Sequence, residues 1–168
     1  MNNKTIRFEY VKKEQKEFLE HLKMIKGVNY QEAEFNVPYW LILALQSELS
    51  EVLNESLVHK FWTDKKVDRE KLIEELSDFV AHMGNLANLL DVDMIIDLEE
   101  VQTTSVEVIF NRLAYQITTL NWNKRHARSA FNRIQILFVE LVYSLGFNLE
   151  ELEQAYKAKM KTNYERFK

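Results

Sequence analysis

Three glycines and one proline are the only residues of their kind in 168, and that scarcity limits what the chain can become. Glycine and proline interrupt helices and build tight turns, so a chain this poor in both has few places to turn sharply. Three of the four fall where a helical apolar stripe stops or starts. Phe8, Val11, Phe18, Leu22 and Ile25 form a broken stripe that Gly27 ends. Val28 to Val37 reads as a loop, and Pro38 opens a second helix that runs to about Leu57, at the one end where a missing N–H costs nothing. Asp68 predicts the N-cap of a third helix reaching about Leu90. Thr104-Ser105-Val106-Glu107 has the pattern of a capping box opening a fourth, which continues through Leu120. Asn121 to Arg128 is a polar, basic connection holding Trp122 and His126, and a fifth helix covers Ser129 to Leu145 before Gly146. Asn148 with Glu151 predicts another N-terminal box, with the last helix running towards Tyr164. Residues 1–7 read as a polar arm. There is no repeat and no domain boundary, so residues 1–168 are expected to form one all-α domain, a helical bundle of five to six helices.

Within that bundle one stretch, Leu45 to Asp78, carries two carboxylate pairs at matching spacing: Glu48 with Glu51, and Glu75 with Asp78. An i,i+3 pair projects from one helix face, where like charges repel by a few tenths of a kcal/mol, roughly, unless a cation lies between them. Leu49, Val52 and Leu53 follow the first pair, and Leu76, Phe79 and Val80 the second. Each pair therefore lies at the edge of an apolar stripe rather than squarely in solvent. Antiparallel helices joined through His59 to Asp68 would bring all four acids together, and an oxygen-only cluster suits Mg²⁺ or Mn²⁺ far better than zinc. Acids at this spacing also occur on solvated faces, and Glu17 with Glu20 is such a pair with no function assigned.

Two further groupings carry chemistry. Trp62 lies between the acidic helices with Lys65 and Lys66 just after it, which offers stacking for a base and charge for phosphates. Lys159, Asn163 and Arg166 are spaced i,i+4,i+7, which lines up an ammonium, an amide and a guanidinium on one face of the last helix. The alternatives are a loop Trp that seals the core and a basic helix end that complements the dipole. His21, His59, His82 and His126 are scattered and read as non-ligands, and no Ser-His-Asp order, P-loop or zinc spacing is present. Absence of cysteine removes disulfides and thiolate metal sites, and a net charge of −4 suggests neither a nucleic-acid nor a membrane partner. With no apolar run near the length of a membrane span, a soluble, cytoplasmic protein is expected.

These residues resemble the all-α, dimeric dUTPases of phages, some bacteria and trypanosomatids, which belong with the MazG-type nucleoside-triphosphate pyrophosphohydrolases. The resemblance rests on ExxE (Glu48, Glu51), Asn54 shortly after it, the Lys60-Phe61-Trp62…Lys65-Lys66 loop, ExxD (Glu75, Asp78), and the terminal run Tyr156, Lys159, Asn163 and Arg166. It spans about residues 15–167. One departure is Lys159-Met160, where the family commonly has Lys-Asn.

The resemblance implies a four-helix catalytic core and the reaction dUTP + H₂O → dUMP + diphosphate, with dUDP hydrolysed as well. Glu48, Glu51, Glu75 and Asp78 would hold two or more Mg²⁺ ions (or Mn²⁺), and Glu48 would help deprotonate the attacking water. Lys65, Lys159, Asn163 and Arg166 would position the phosphates; Asn54, Trp62 and Gln15 would hold the nucleoside, with Gln15 in the role of uracil reader and Asn29 as the second candidate. A homodimer is expected, because a bundle of this size leaves little room for an enclosed site. Two other readings are a pyrophosphohydrolase of the same superfamily acting on dCTP or a modified nucleotide, and a non-catalytic helical module that binds a protein and keeps the acids as surface charge.

Overall fold

The computed structural model describes residues 5–27, 36–102 and 104–168. Among the described residues there are six α-helices: α1 (Glu9–Lys26), α2 (Tyr39–Ser56), α3 (Arg69–Leu90), α4 (Val106–Thr118), α5 (Lys124–Ser144) and α6 (Leu149–Arg166). Helix α3 is the central element and packs against α1, α2, α5 and α6, while α4 and α5 form a hairpin beside it. Asn29 lies outside the described residues.

Most helix ends follow the local signals. Gly27 closes α1 in the left-handed region at φ 62, its N–H donating to the Lys23 carbonyl. Asp68 caps α3 by accepting from Lys71 N. The box at the start of α6 is complete, with Glu151 N donating to Asn148 Oδ1 and Asn148 N to Glu151 Oε2. Helix α2 ends without a glycine: Leu57 itself adopts φ 59, a conformation that costs an L-residue about 1–2 kcal/mol. That leucine turns the chain into the loop carrying Phe61 and Trp62.

Three boundaries differ from the sequence expectation. Residues Thr5–Arg7 are not arm but strand β1, paired antiparallel with β2 (Ile95–Asp97), Ile6 opposite Ile96. Only those two isoleucines are buried, which gives the period-2 pattern of a half-buried ribbon. The pairing is fixed from outside the strands, since Met94 N donates to Glu9 Oε1 and Phe8 N to the Met94 carbonyl. At α4 the Ser105 side chain makes no capping bond, so the expected box is not closed. Helix α5 starts at Lys124, ahead of the expected Ser129, because Asn123 Oδ1 accepts from His126 N. The basic stretch Lys124–Arg128 is therefore its first turn, anchored to the core through Ala127 and Ala130.

The end of α6 is packed rather than frayed. Tyr164 and Phe167 meet the ring of Phe18 edge-on at 5.1 and 6.1 Å, and His21 Nε2 hydrogen-bonds the Phe167 carbonyl oxygen at 2.9 Å. Among the described residues, no helix is long and apolar enough to cross a membrane.

Candidate active site

The loop between α2 and α3 reverses the chain, so the two helices run antiparallel. Glu51 then meets Glu75 near the loop, and Glu48 meets His82 farther in, its Oε1 3.7 Å from His82 Nε2. Glu48, Glu51 and Glu75 bring carboxylate oxygens within 4.8 Å of one another. Asp78, one turn along α3 from Glu75, is tied instead to α6, where Lys159 Nζ donates to its Oδ2 at 2.6 Å.

The electrostatics follow from crowding four acids around one ammonium. Glu48 is pushed up to about 7 by burial, and then by the charges of Asp78, Glu51 and Glu75, with Lys159 acting against them. Glu75 is also pushed up to about 7, by burial first, then by its hydrogen bond with Glu51 and the charges of Glu51 and Asp78. Burial lifts Asp78 too, resisted by Lys159. For Lys159 burial disfavours the charged form, but Asp78, Glu75 and Glu74 outweigh it and the net shift is upward. Burial holds the His82 imidazole below its ordinary value, hence neutral near pH 7, and its Nδ1 has no hydrogen-bond partner among the described residues. Carboxylates that resist ionisation this strongly lack positive charge. A hard divalent cation such as Mg²⁺ or Mn²⁺ matches both the charge deficit and the all-oxygen donor set.

Gln15 reaches the same region from α1. It is 3 % exposed, and its Nε2 donates to Tyr156 Oη at 3.1 Å and to Met160 Sδ at 3.1 Å, both on α6. Helix α1 comes this close because α3 has a glycine at the crossing. A Cβ at Gly84 would lie 2.9 Å from Val11 Cγ1, 3.0 Å from Gln15 Cγ and 3.2 Å from the Val11 carbonyl oxygen. Met160, the departure from the family's Asn, is buried here as a partner of Gln15.

The structure thus brings together Glu48, Glu51, Glu75, Asp78 and Lys159, with Gln15 against the helix that carries Lys159. Among the described residues none of the other candidates hydrogen-bonds or ion-pairs with the acids. Asn54 is exposed on α2, and Lys65 is exposed in the following loop. Trp62 is 69 % exposed, edge-to-face with Phe61 at 5.0 Å, so it does not seal the core. Asn163 Nδ2 lies 4.0 Å from Met160 Sδ, and the Arg166 guanidinium sits 5.4 Å from the centre of the Phe167 ring. His82 is the neighbour of Glu48 that the sequence reading set aside. Its spacing of i+4 from Asp78, on the face already carrying Glu75, was the signal that pointed to it.

The model of one protein family, described as dUTPase, matches residues 3–168. No curated protein and no solved structure matches the chain. Since the family match covers nearly the whole sequence and the fold is all-helical, the chain belongs to the all-α dUTPase family and is a nucleotide-hydrolysing enzyme of the dUTP diphosphatase type.

Proposed function

We propose that the enzyme converts dUTP and water to dUMP and diphosphate with a divalent cation, Mg²⁺ or Mn²⁺, in the acid cluster, and that it accepts dUDP as well. The observation that carries this reading is the convergence of Glu48, Glu51 and Glu75 within 4.8 Å, beside an Asp78 held by Lys159. Glu48, Glu51, Glu75 and Asp78 would hold the cation, which supplies positive charge against the phosphate oxygens. Lys159 adds an ammonium at the edge of the same cluster, already oriented by Asp78. Water attacks a phosphorus of the α–β linkage and the bond to the bridging oxygen breaks. The water's proton passes to Glu48, which stands in the carboxylate cluster with Glu51 and Glu75. Lys65, Asn163 and Arg166 are further phosphate contacts in this reading, and Gln15, Asn54 and Trp62 hold the nucleoside. Closure of the exposed loop or a second subunit would bring Trp62 and Lys65 to the acids.

A homodimer fits the surface of α2 and its loop, where Tyr39 and Leu43 are 71 % and 62 % exposed and Phe61 is almost fully exposed. Large apolar groups gathered on one helix and its loop mark an interaction surface. The test is turnover of dUTP, dUDP, dCTP, dTTP and dATP with Mg²⁺, with Mn²⁺ and with chelator, alongside sedimentation of the protein. Selective, cation-dependent release of diphosphate from dUTP is expected. Turnover of dUTP undiminished in chelator would refute the metal assignment, and preference for another base would refute the substrate.

A further inference from the structure

A uracil edge presents a carbonyl, an N–H and a second carbonyl in a row, and each needs a partner when the base is buried. Gln15 cannot satisfy that edge alone. Both hydrogen bonds that the structure gives it run through Nε2 into the core, to Tyr156 and Met160. Its carbonyl oxygen is what remains for a ligand. A second buried amide lies on α3, one residue past Gly84. Asn85 is 8 % exposed, and its Oδ1 is sealed from solvent with no hydrogen-bond partner among the described residues. A buried acceptor left without a partner is costly and calls for a reason.

The position of Asn85 supplies one. Glu75, Asp78, His82 and Asn85 are spaced three, four and three residues apart, so they share about a quarter of the circumference of α3. Asn85 stands seven residues beyond Asp78, about 10 Å along the axis. A nucleotide with its phosphates at the carboxylates, extended along this face, puts its base edge there. Asn85 also follows Gly84, the residue against which the Gln15 Cγ rests. We infer that Asn85 is a second base-reading residue, whose amide pairs with the edge of a pyrimidine base alongside Gln15. This rests on the reading of the acid cluster as the phosphate end of a nucleotide site.

The test compares the wild type with Asn85→Ala and Asn85→Asp, measuring kcat and KM for dUTP, dCTP and dTTP, inhibition by inorganic diphosphate, and Tm. In Asn85→Ala, kcat/KM for dUTP should fall about 10- to 100-fold and the preference over dCTP should narrow by a similar factor. Inhibition by diphosphate should be unchanged, and Tm should hold or rise, because the amide oxygen has no hydrogen-bond partner among the described residues. Asn85→Asp keeps the shape but loses the donor, and should recover little of the preference. An unchanged dUTP-to-dCTP ratio overturns the inference. So does an equal loss on every nucleotide with weaker diphosphate inhibition or a lowered Tm, which marks a structural amide. The wild-type values separate the two ideas. If the wild type prefers another base, the dUTP reading fails, and Asn85 is judged on the ratio between that base and the next. If the wild type hydrolyses none of the nucleotides, the reading fails and takes this inference with it.

Discussion

Replacing Glu75 with glutamine should make the metal-free protein more stable while removing its activity. In the folded protein the Glu75 carboxyl holds its proton up to about pH 7, against an ordinary value of 4.5 in the unfolded chain. The stability this group contributes is therefore fully present below pH 4.5 and is lost as the pH rises through 7. Above that pH it is an anion within 4.8 Å of two others, Glu48 and Glu51. A like-charge pair at that distance costs about 1 kcal/mol in a water-like dielectric. The two repulsions together, reduced by partial exposure and by the attraction to Lys159 that is also lost, leave a net gain of about 1 kcal/mol for the variant. In a chain of this length that raises Tm by about 2–4 °C. The introduced amide can also donate to Glu51, where the carboxylate cannot. The assay is thermal unfolding in chelator at pH 8 and at pH 4.5, repeated with Mg²⁺ at pH 8. The variant should melt higher than the wild type at pH 8 and level with it at pH 4.5. Mg²⁺ should raise the wild-type Tm and leave the variant nearly unmoved. A variant that melts lower at pH 8 in chelator, or a gap of the same size at both pH values, would show that the acids do not repel one another as described.

Three other outcomes are expected. Glu48→Gln keeps shape and packing but loses the charge a cation needs, so turnover should fall more than a hundredfold, about 3 kcal/mol of barrier, with Tm unchanged or higher; retention of a tenth of the activity would remove Glu48 from the chemistry. Gly84→Ala, normally worth up to about 1 kcal/mol of added stability within a helix, should here destabilise by about 1–3 kcal/mol, because the new methyl meets Val11 and Gln15; a raised Tm would mean that α1 shifts freely on α3. Arg166→Ala should raise KM for dUTP without lowering Tm by more than about 2 °C, whereas truncation after Met160 should also destabilise, since it removes the Tyr164 and Phe167 contacts with Phe18. Equal Tm for the truncated and full chains would contradict the packed terminus.

Local signals in the sequence accounted for the helices that begin or end on a strong cap. Gly27, Asp68 and the Asn148–Glu151 box act within one turn of the chain and need no tertiary partner. The same holds for the acids: i,i+3 spacing beside an apolar stripe commits each pair to a helix edge, and a short reversing loop commits the pairs to face each other. Helix α5 begins ahead of the expected Ser129 because its first turn is charged outside and anchored inside only by alanines, too weak a pattern to show as periodicity. Strand β1 has no local signal, since three residues become a strand only by pairing with a segment some 90 positions away. Tertiary structure also separated the acids into two environments. Glu48, Glu51 and Glu75 converge on one another, while Asp78 is ion-paired with Lys159 from a helix that sequence order places far away. It was the crossing at Gly84 that set Gln15 in the core with its amide committed to Tyr156 and Met160. Spacing along one chain reports which side chains share a face, but which faces meet depends on helix crossings, and those are decided by packing.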